Sequence, residues 1–329
     1  MSKLWISVIA LWPVIATCQI NGLSFEGPPK AVEQTVFKDM KSTAGANWVS
    51  LHPYAYGRED QAVLFWQSIE WQWWGEGIEG TRQSIRMAKA EGMQVMVKPH
   101  IWLRKGTYTG HLKFENNADW VRFENDYRDY VLAYARLAAE EKADLFCLGN
   151  ELGAFTSERP AFWHKLIAEV RAIYRGPLTY AANWDDFGKC PFWRELDFMG
   201  VNAYFPLSGK NTPDVSALER AWQKTFSLLR KASQLAEKPV LFTEYGYRSI
   251  DACCRAPWDS AVQLPINQAS QANALRALFN TFWGQSWFGG GFLWKWHAPG
   301  QHHYDDHTGQ YTVQGKKALE IVRSQYQGL

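Results

Sequence analysis

Short apolar runs recur along this chain, and each ends on polar residues. They are Ile20–Glu26, Asn47–His52, Gln94–His100, Asp144–Asn150, Leu178–Asn183, Leu196–Tyr204, Pro239–Glu244 and Gly290–His297. Runs this short and this continuously apolar predict strands buried on both faces, as in a parallel sheet. Between most of them the apolar positions switch to helical spacing. Glu79–Glu91 runs into Gly92, Trp120–Lys142 follows Asp119, and Arg159–Tyr174 stops at Gly176-Pro177. Val215–Leu235, Asn267–Trp283 and a closing Gln314–Gln327 complete the set. Strand alternating with helix across eight strand candidates predicts an α/β fold, a (β/α)8 TIM barrel, as a single domain over residues 20–329. No internal repeat or low-complexity linker divides it. The least regular stretches, Tyr54–Gly77, Trp102–Ala118 and Ile250–Pro265, all follow strands. They are expected as insertions shaping a cleft on the face where such a barrel keeps its chemistry.

The N-terminus breaks this pattern. Lys3 precedes an apolar stretch, Leu4–Ala16, too short to span a bilayer. Residues 1–19 therefore predict an export signal, placing the protein in the periplasm, outside the cell or on a lipid anchor. Cleavage near Cys18 or Gln19 and lipidation at Cys18 both remain open, because Thr17 departs from the usual lipid-attachment pattern.

Composition narrows the partners. The 329 residues are 47% hydrophobic, which supports a large core. The 35 basic and 33 acidic residues are scattered, so nothing asks for nucleic acid or an acidic polymer. Aromatic content is the unusual figure, with 18 Trp against 14 Tyr. Indole faces stack on the C–H faces of sugar rings. Phe65-Trp66, Trp71 and Trp73-Trp74, in an expected loop, read either as a saccharide platform or as a packed loop core. Besides Cys18, Cys147 reads as a packed thiol. Cys190 could pair with Cys253 or Cys254, and the sequence leaves the pairing open.

Two of the apolar runs end on an acid. Asn150-Glu151 follows the fourth candidate strand, and Glu244 closes the seventh. Carboxylates at the C-terminal ends of facing barrel strands can converge at the separation of about 5–5.5 Å that a retaining glycosidase requires. One must hold a proton and the other must stay ionised. Asn150 could hold the hydroxyl beside the anomeric carbon, Tyr204 could donate to Glu244, and Trp296 could floor the central sugar site. Lys98, His100, His52 and Asn183 stand at strand ends where substrate hydroxyls would lie. For each of these singly, a satisfied structural residue is the competing reading. His297, His302, His303, Asp305, Asp306 and His307 form a polar cluster after the eighth strand. A solvated loop or cleft rim is preferred there over a metal site, and neither metal nor cofactor is expected.

These motifs resemble the clan of retaining glycosidases that carries glutamates on strands four and seven. Within it, Val-Met-Val-Lys98-Pro-His100, Tyr180-Ala-Ala-Asn183-Trp184 and Gln314-Gly-Lys-Lys-Ala318 are similar to glycoside hydrolase family 113, over the chain from about Asn21 onward. That family comprises β-1,4-mannanases on a (β/α)8 barrel. The resemblance implies Glu151 as general acid/base and Glu244 as nucleophile. It implies Asn150, Tyr204 and Trp296 around the central subsite, and Lys98, His100, Asn183 and Trp184 as sugar contacts. The loop Ser249–Pro265, with Cys253-Cys254, departs from the pattern. The reading is an exported, monomeric, retaining endo-β-mannanase. A gluco- or galacto-directed relative and a non-catalytic glycan-binding barrel are the alternatives.

Overall fold

The computed structural model describes residues 19–67, 70–104, 107–300 and 309–329. In chain order its strands are β1 (Ile20–Phe25), β2 (Trp48–Leu51), β3 (Tyr54–Arg58), β4 (Gln61–Phe65), β5 (Gln94–Val97), β6 (His100–Leu103), β7 (Leu145–Asn150), β8 (Leu178–Asn183), β9 (Met199–Asn202), β10 (Val240–Tyr245) and β11 (Phe288–Trp296). Its helices are α1 (Thr35–Ala44), α2 (Ile78–Ala90), α3 (Asn117–Glu140), α4 (Gly153–Glu158), α5 (Pro160–Ile173), α6 (Val215–Ala236), α7 (Gln268–Phe282) and α8 (Lys317–Gln327). Strands β1, β2, β5, β7, β8, β9, β10 and β11 close a parallel barrel in that order, so the (β/α)8 expectation holds. All eight barrel strands fall within or beside the apolar runs. Among the described residues no helix is long and apolar enough to cross a membrane. The proposed signal, with Cys18, lies outside the described residues.

Two hydrophobic layers hold the barrel. A small cluster of Ile20, Trp48, Met96, Leu145, Cys147, Ala181, Leu241 and Phe292 draws on seven of its strands and fills the interior. Gly22 makes room for it, since a Cβ there would stand 2.3 Å from the Phe292 ring. A much larger cluster lies between the strands and the helices. Polar residues occupy the mouth above the interior plug.

Two local outcomes differ from the sequence expectation. Pro99 splits the run Gln94–His100: β5 ends at Val97, and β6 leaves the barrel from His100. A proline has no N–H to contribute to a central ladder. The stretch Tyr54–Gly77, expected to be irregular, contains the hairpin β3–β4, which joins β6 in a side sheet ordered β4-β3-β6. Its buried residues Ala55, Gly57, Ala62, Leu64, Ile101 and Leu103 alternate with exposed or half-buried ones, the period of a sheet covered on one face. Between β8 and β9 the chain makes short 3-10 turns, Phe187–Lys189 and Trp193–Glu195, where the other connections carry helices.

Candidate active site

Both glutamates stand at the barrel mouth, and packing explains the glycines beside them. A Cβ at Gly149 would lie 2.2 Å from the Tyr127 hydroxyl, which donates to the Leu148 carbonyl. A Cβ at Gly246 would lie 2.5 Å from the Trp294 carbonyl oxygen. Glu151 itself adopts φ 52°, a left-handed conformation that costs a non-glycine residue about 1–2 kcal/mol. Neighbours impose it. The Glu151 N–H donates to the Ala181 carbonyl at 2.8 Å, and the Leu152 N–H donates to the Tyr180 hydroxyl at 2.7 Å. Thr109 donates to the Glu151 carbonyl at 3.1 Å.

Asn202, at the end of β9, links Glu151 to the lysine that pairs with Glu244. Its amide nitrogen donates to Glu151 Oε1 and to Asn150 Oδ1, both at 2.8 Å. Its oxygen accepts from Lys98 Nζ at 3.3 Å and from Thr243 Oγ1 at 2.9 Å. Lys98 also forms an ion pair with Glu244 Oε1, while Tyr204 donates to Glu244 Oε2 at 2.8 Å. Lys98 is fully buried and Glu244 is 5% exposed, so this is a charge pair with almost no water around it. Sequence reasoning missed Asn202. Its only signal was an asparagine near the end of the apolar run Leu196–Tyr204.

The two carboxyls have different surroundings. Burial, then the negative charge of Glu244, raise Glu151 from 4.5 to about 7, against the lowering effects of the Asn202 hydrogen bond and Lys98. Glu244 accepts hydrogen bonds from a lysine and a phenol. The arrangement supplies a proton donor and a carboxylate to one space.

Around them the other expected residues take different places. His100 Nε2 lies 3.8 Å from Glu244 Oε1 and has no hydrogen-bond partner among the described residues. Burial, then the Lys98 charge, push His100 well below its usual range, so it is neutral. His52 is buried with both ring nitrogens engaged, Nδ1 donating to the Phe25 carbonyl at 3.2 Å and Nε2 accepting from Ser50 at 2.9 Å. It packs against His100 and Trp294 rather than offering a free polar atom.

Trp296 is only 1% exposed and lies in the large core cluster, so it does not floor the cleft. Trp294 remains half-buried beside both histidines, its ring stacked toward His100. The cause is a bulge: Leu293 and Trp296 oppose Leu23 and Phe25, three steps against two.

Asn183 donates to Asp185 at 2.9 Å, and Trp184 stacks on Trp258 at 4.9 Å. A cavity of about 280 Å³ opens beside them, lined in part by Tyr108, His111, Asp185 and Asp186. Burial, then Asp185, raise Asp186 to about 6. On the opposite flank Glu26 pairs with Lys295 and with His297 Nδ1, the latter at 2.5 Å. Burial alone would raise Glu26, but these partners hold it down at about 2. His302, His303, Asp305, Asp306 and His307 lie outside the described residues. Cys147, Cys190, Cys253 and Cys254 are free thiols, with Cys253 and Cys254 in contact at 3.8 Å between sulfurs. Gln314 makes paired hydrogen bonds to the backbone of His297, at 2.9 and 3.0 Å. This motif therefore pins the end of β11.

Fold and site together define the class: a (β/α)8 glycoside hydrolase. More narrowly, the chain belongs to Glycoside Hydrolase Family 113, whose family model matches residues 28–316. Solved structures agree in fold. The family 113 β-mannanase of Alicyclobacillus acidocaldarius, in complex with ManMIm, is 24% identical with a TM-score of 0.80, covering 94% of this chain and 97% of that one. A further family 113 β-1,4-mannanase, also in a complex, is 23% identical with a TM-score of 0.83, covering 94% of this chain and 99% of that one. A β-glucuronidase of Faecalibacterium prausnitzii shares the barrel at 16% identity and a TM-score of 0.63, covering 95% of this chain and 49% of its own. No curated protein matches the chain.

Proposed function

We propose that this protein is a retaining endo-β-1,4-mannanase in which Glu244 is the nucleophile and Glu151 the general acid/base. The observation that carries the assignment of roles is that Glu244 is ion-paired with Lys98, whereas Glu151, raised to about 7, meets that lysine only through the Asn202 amide. Membership of family 113, and its solved β-1,4-mannanases, support the manno-configured substrate. In the first step the Glu244 carboxylate attacks the anomeric carbon, the glycosidic bond breaks, and Glu151 gives its proton to the departing oxygen. Esterification removes the negative charge of Glu244, which is one cause of the raised Glu151. Glu151 thereby becomes the base that takes a proton from water, and water cleaves the ester with net retention.

In this reading Asn150 holds the hydroxyl beside the anomeric carbon, Trp294 faces the sugar ring, and His100 Nε2 meets a hydroxyl. On the Glu151 side, Asn183 and Trp184 would meet the leaving chain.

Azide rescue tests the scheme on a substrate with an activated leaving group. Glu244→Ala with azide should yield the α-glycosyl azide, and Glu151→Ala the β-anomer. Unaided, the Glu151 variant should lose about 10²–10⁴-fold on mannan. Near-native turnover by Glu244→Ala without azide refutes the assignment. A parallel panel of mannan, cellulose, xylan and galactan reads out the sugar. Export is part of the proposal, on the strength of Lys3 and Leu4–Ala16. Determination of the mature N-terminus tests it.

A further inference from the structure

The side sheet β4-β3-β6 turns aromatic rings outward. Register pairs Tyr56 with Phe65 on one side and with Trp102 on the other, so the three stand in one row across the sheet and share a face. The neighbouring row on that face pairs Tyr54 with His100. Trp71 approaches the Tyr56 ring edge-on at 4.5 Å between centroids. The opposite face of the sheet is buried, with Leu64 at 6% and Leu103 at 2% exposure. A one-sided sheet ordinarily puts polar residues on its wet face. Here Phe65 is 54%, Trp102 53% and Trp71 64% exposed. Packing does not account for these rings. A contiguous exposed apolar patch of this kind marks a binding surface.

Continuity identifies the occupant. His100, in the inner row, lies 3.8 Å from the carboxylate of Glu244. The outer row begins two residues farther along the same strands, about 7 Å away and of the order of one sugar residue. A chain seated over Glu244 and leaving past His100 and Tyr54 would therefore run onto Tyr56, Trp102, Phe65 and Trp71. The leaving group departs on the Glu151 side, where Tyr108, Asn183 and Trp184 lie. The aromatic rows reach Glu244 instead, which faces the sugar that is retained.

We infer that this face is a distal glycone subsite, binding residues of the same β-linked chain upstream of the scissile bond by stacking. The inference rests on the glycosidase reading above and deepens it.

The test uses the full protein carrying Trp71→Ala and Trp102→Ala together, both at exposed rings, with melting temperature as a check on folding. Initial rates are measured on β-1,4-manno-oligosaccharides of two to six residues, with product analysis. The ratio of kcat/KM for the longest substrate to that for the shortest should fall about tenfold, through KM, the size of a lost stacking contact of ~1.4 kcal/mol. Cleavage positions should shift toward the non-reducing end. An unchanged ratio overturns the inference. So does a wild-type dimer, seen by sedimentation, that the double variant disperses while the length profile stays the same. If wild type ignores manno-oligosaccharides, the sugar assignment has failed instead. The same ratio is then read on whichever glycan of the panel is cleaved, and it decides the inference alone.

Discussion

Asn202 uses every hydrogen-bonding position of its amide at the barrel mouth: two donations and two acceptances. A side chain satisfied this fully fixes the positions of its partners. Its donation to Glu151 favours the charged carboxylate and so lowers the proton affinity of the acid. Asn202→Ala should therefore hold the proton to higher pH. In the wild type, activity should fall as pH rises through about 7, where Glu151 loses its proton. In Asn202→Ala that basic limb should move up, on a reduced maximum. A pH profile of kcat/KM checks both.

The same carboxyl affects stability. Folded Glu151 keeps its proton to about 7, against an ordinary 4.5. The folded state thus binds the proton more tightly, and stability falls as pH rises between those values. Glu151→Gln removes the buried charge. Its melting temperature should exceed that of wild type at pH 8 and match it near pH 4. Calorimetry at the two pH values tests this.

At the scale of the element, β11 shows how one bulge divides two tryptophans. Strict alternation would put Trp294 and Trp296 on one face. The extra residue sends Trp296 into the core and leaves Trp294 by the histidines. Trp296→Ala should cost about 3–5 kcal/mol of stability, as large-to-small core substitutions do. Trp294→Ala should leave the urea midpoint close to wild type and lower kcat/KM. Denaturation and kinetics on both variants separate the roles. The side sheet is a similar case. Its alternation is present in the sequence, but Pro99 lies inside an apolar run that otherwise reads as one strand. Whether β6 continued the barrel or left it depended on partners more than forty residues away, since His100 pairs with Tyr54.

Over the whole molecule, the site exists only because the barrel closes. Lys98 reaches Glu244 across 146 positions of sequence, and Asn202 reaches Glu151 across 51. Closure is secured by the last helix. The Tyr326 hydroxyl meets Tyr245 at 2.5 Å and donates to the Gly22 carbonyl at 2.8 Å, tying α8 to β10 and β1. Tyr326→Phe leaves buried polar groups without a partner and should cost about 1–3 kcal/mol. Urea unfolding measures it.

The sequence by itself determined the period of each element, the order of strand and helix, and the two acids at strand ends. Those are local properties: periodicity records burial, and a carboxylate after a buried strand is conspicuous because burial without a purpose is costly. Only the tertiary structure decided that Asn202 would link Glu151 to Lys98, that Trp294 and not Trp296 would stay half-buried beside the histidines, and that His52 would be consumed by Ser50 and Phe25. Each of these depends on which strand lies beside which and on a one-residue register. Register is set by the closed sheet as a whole, so no single segment carries it.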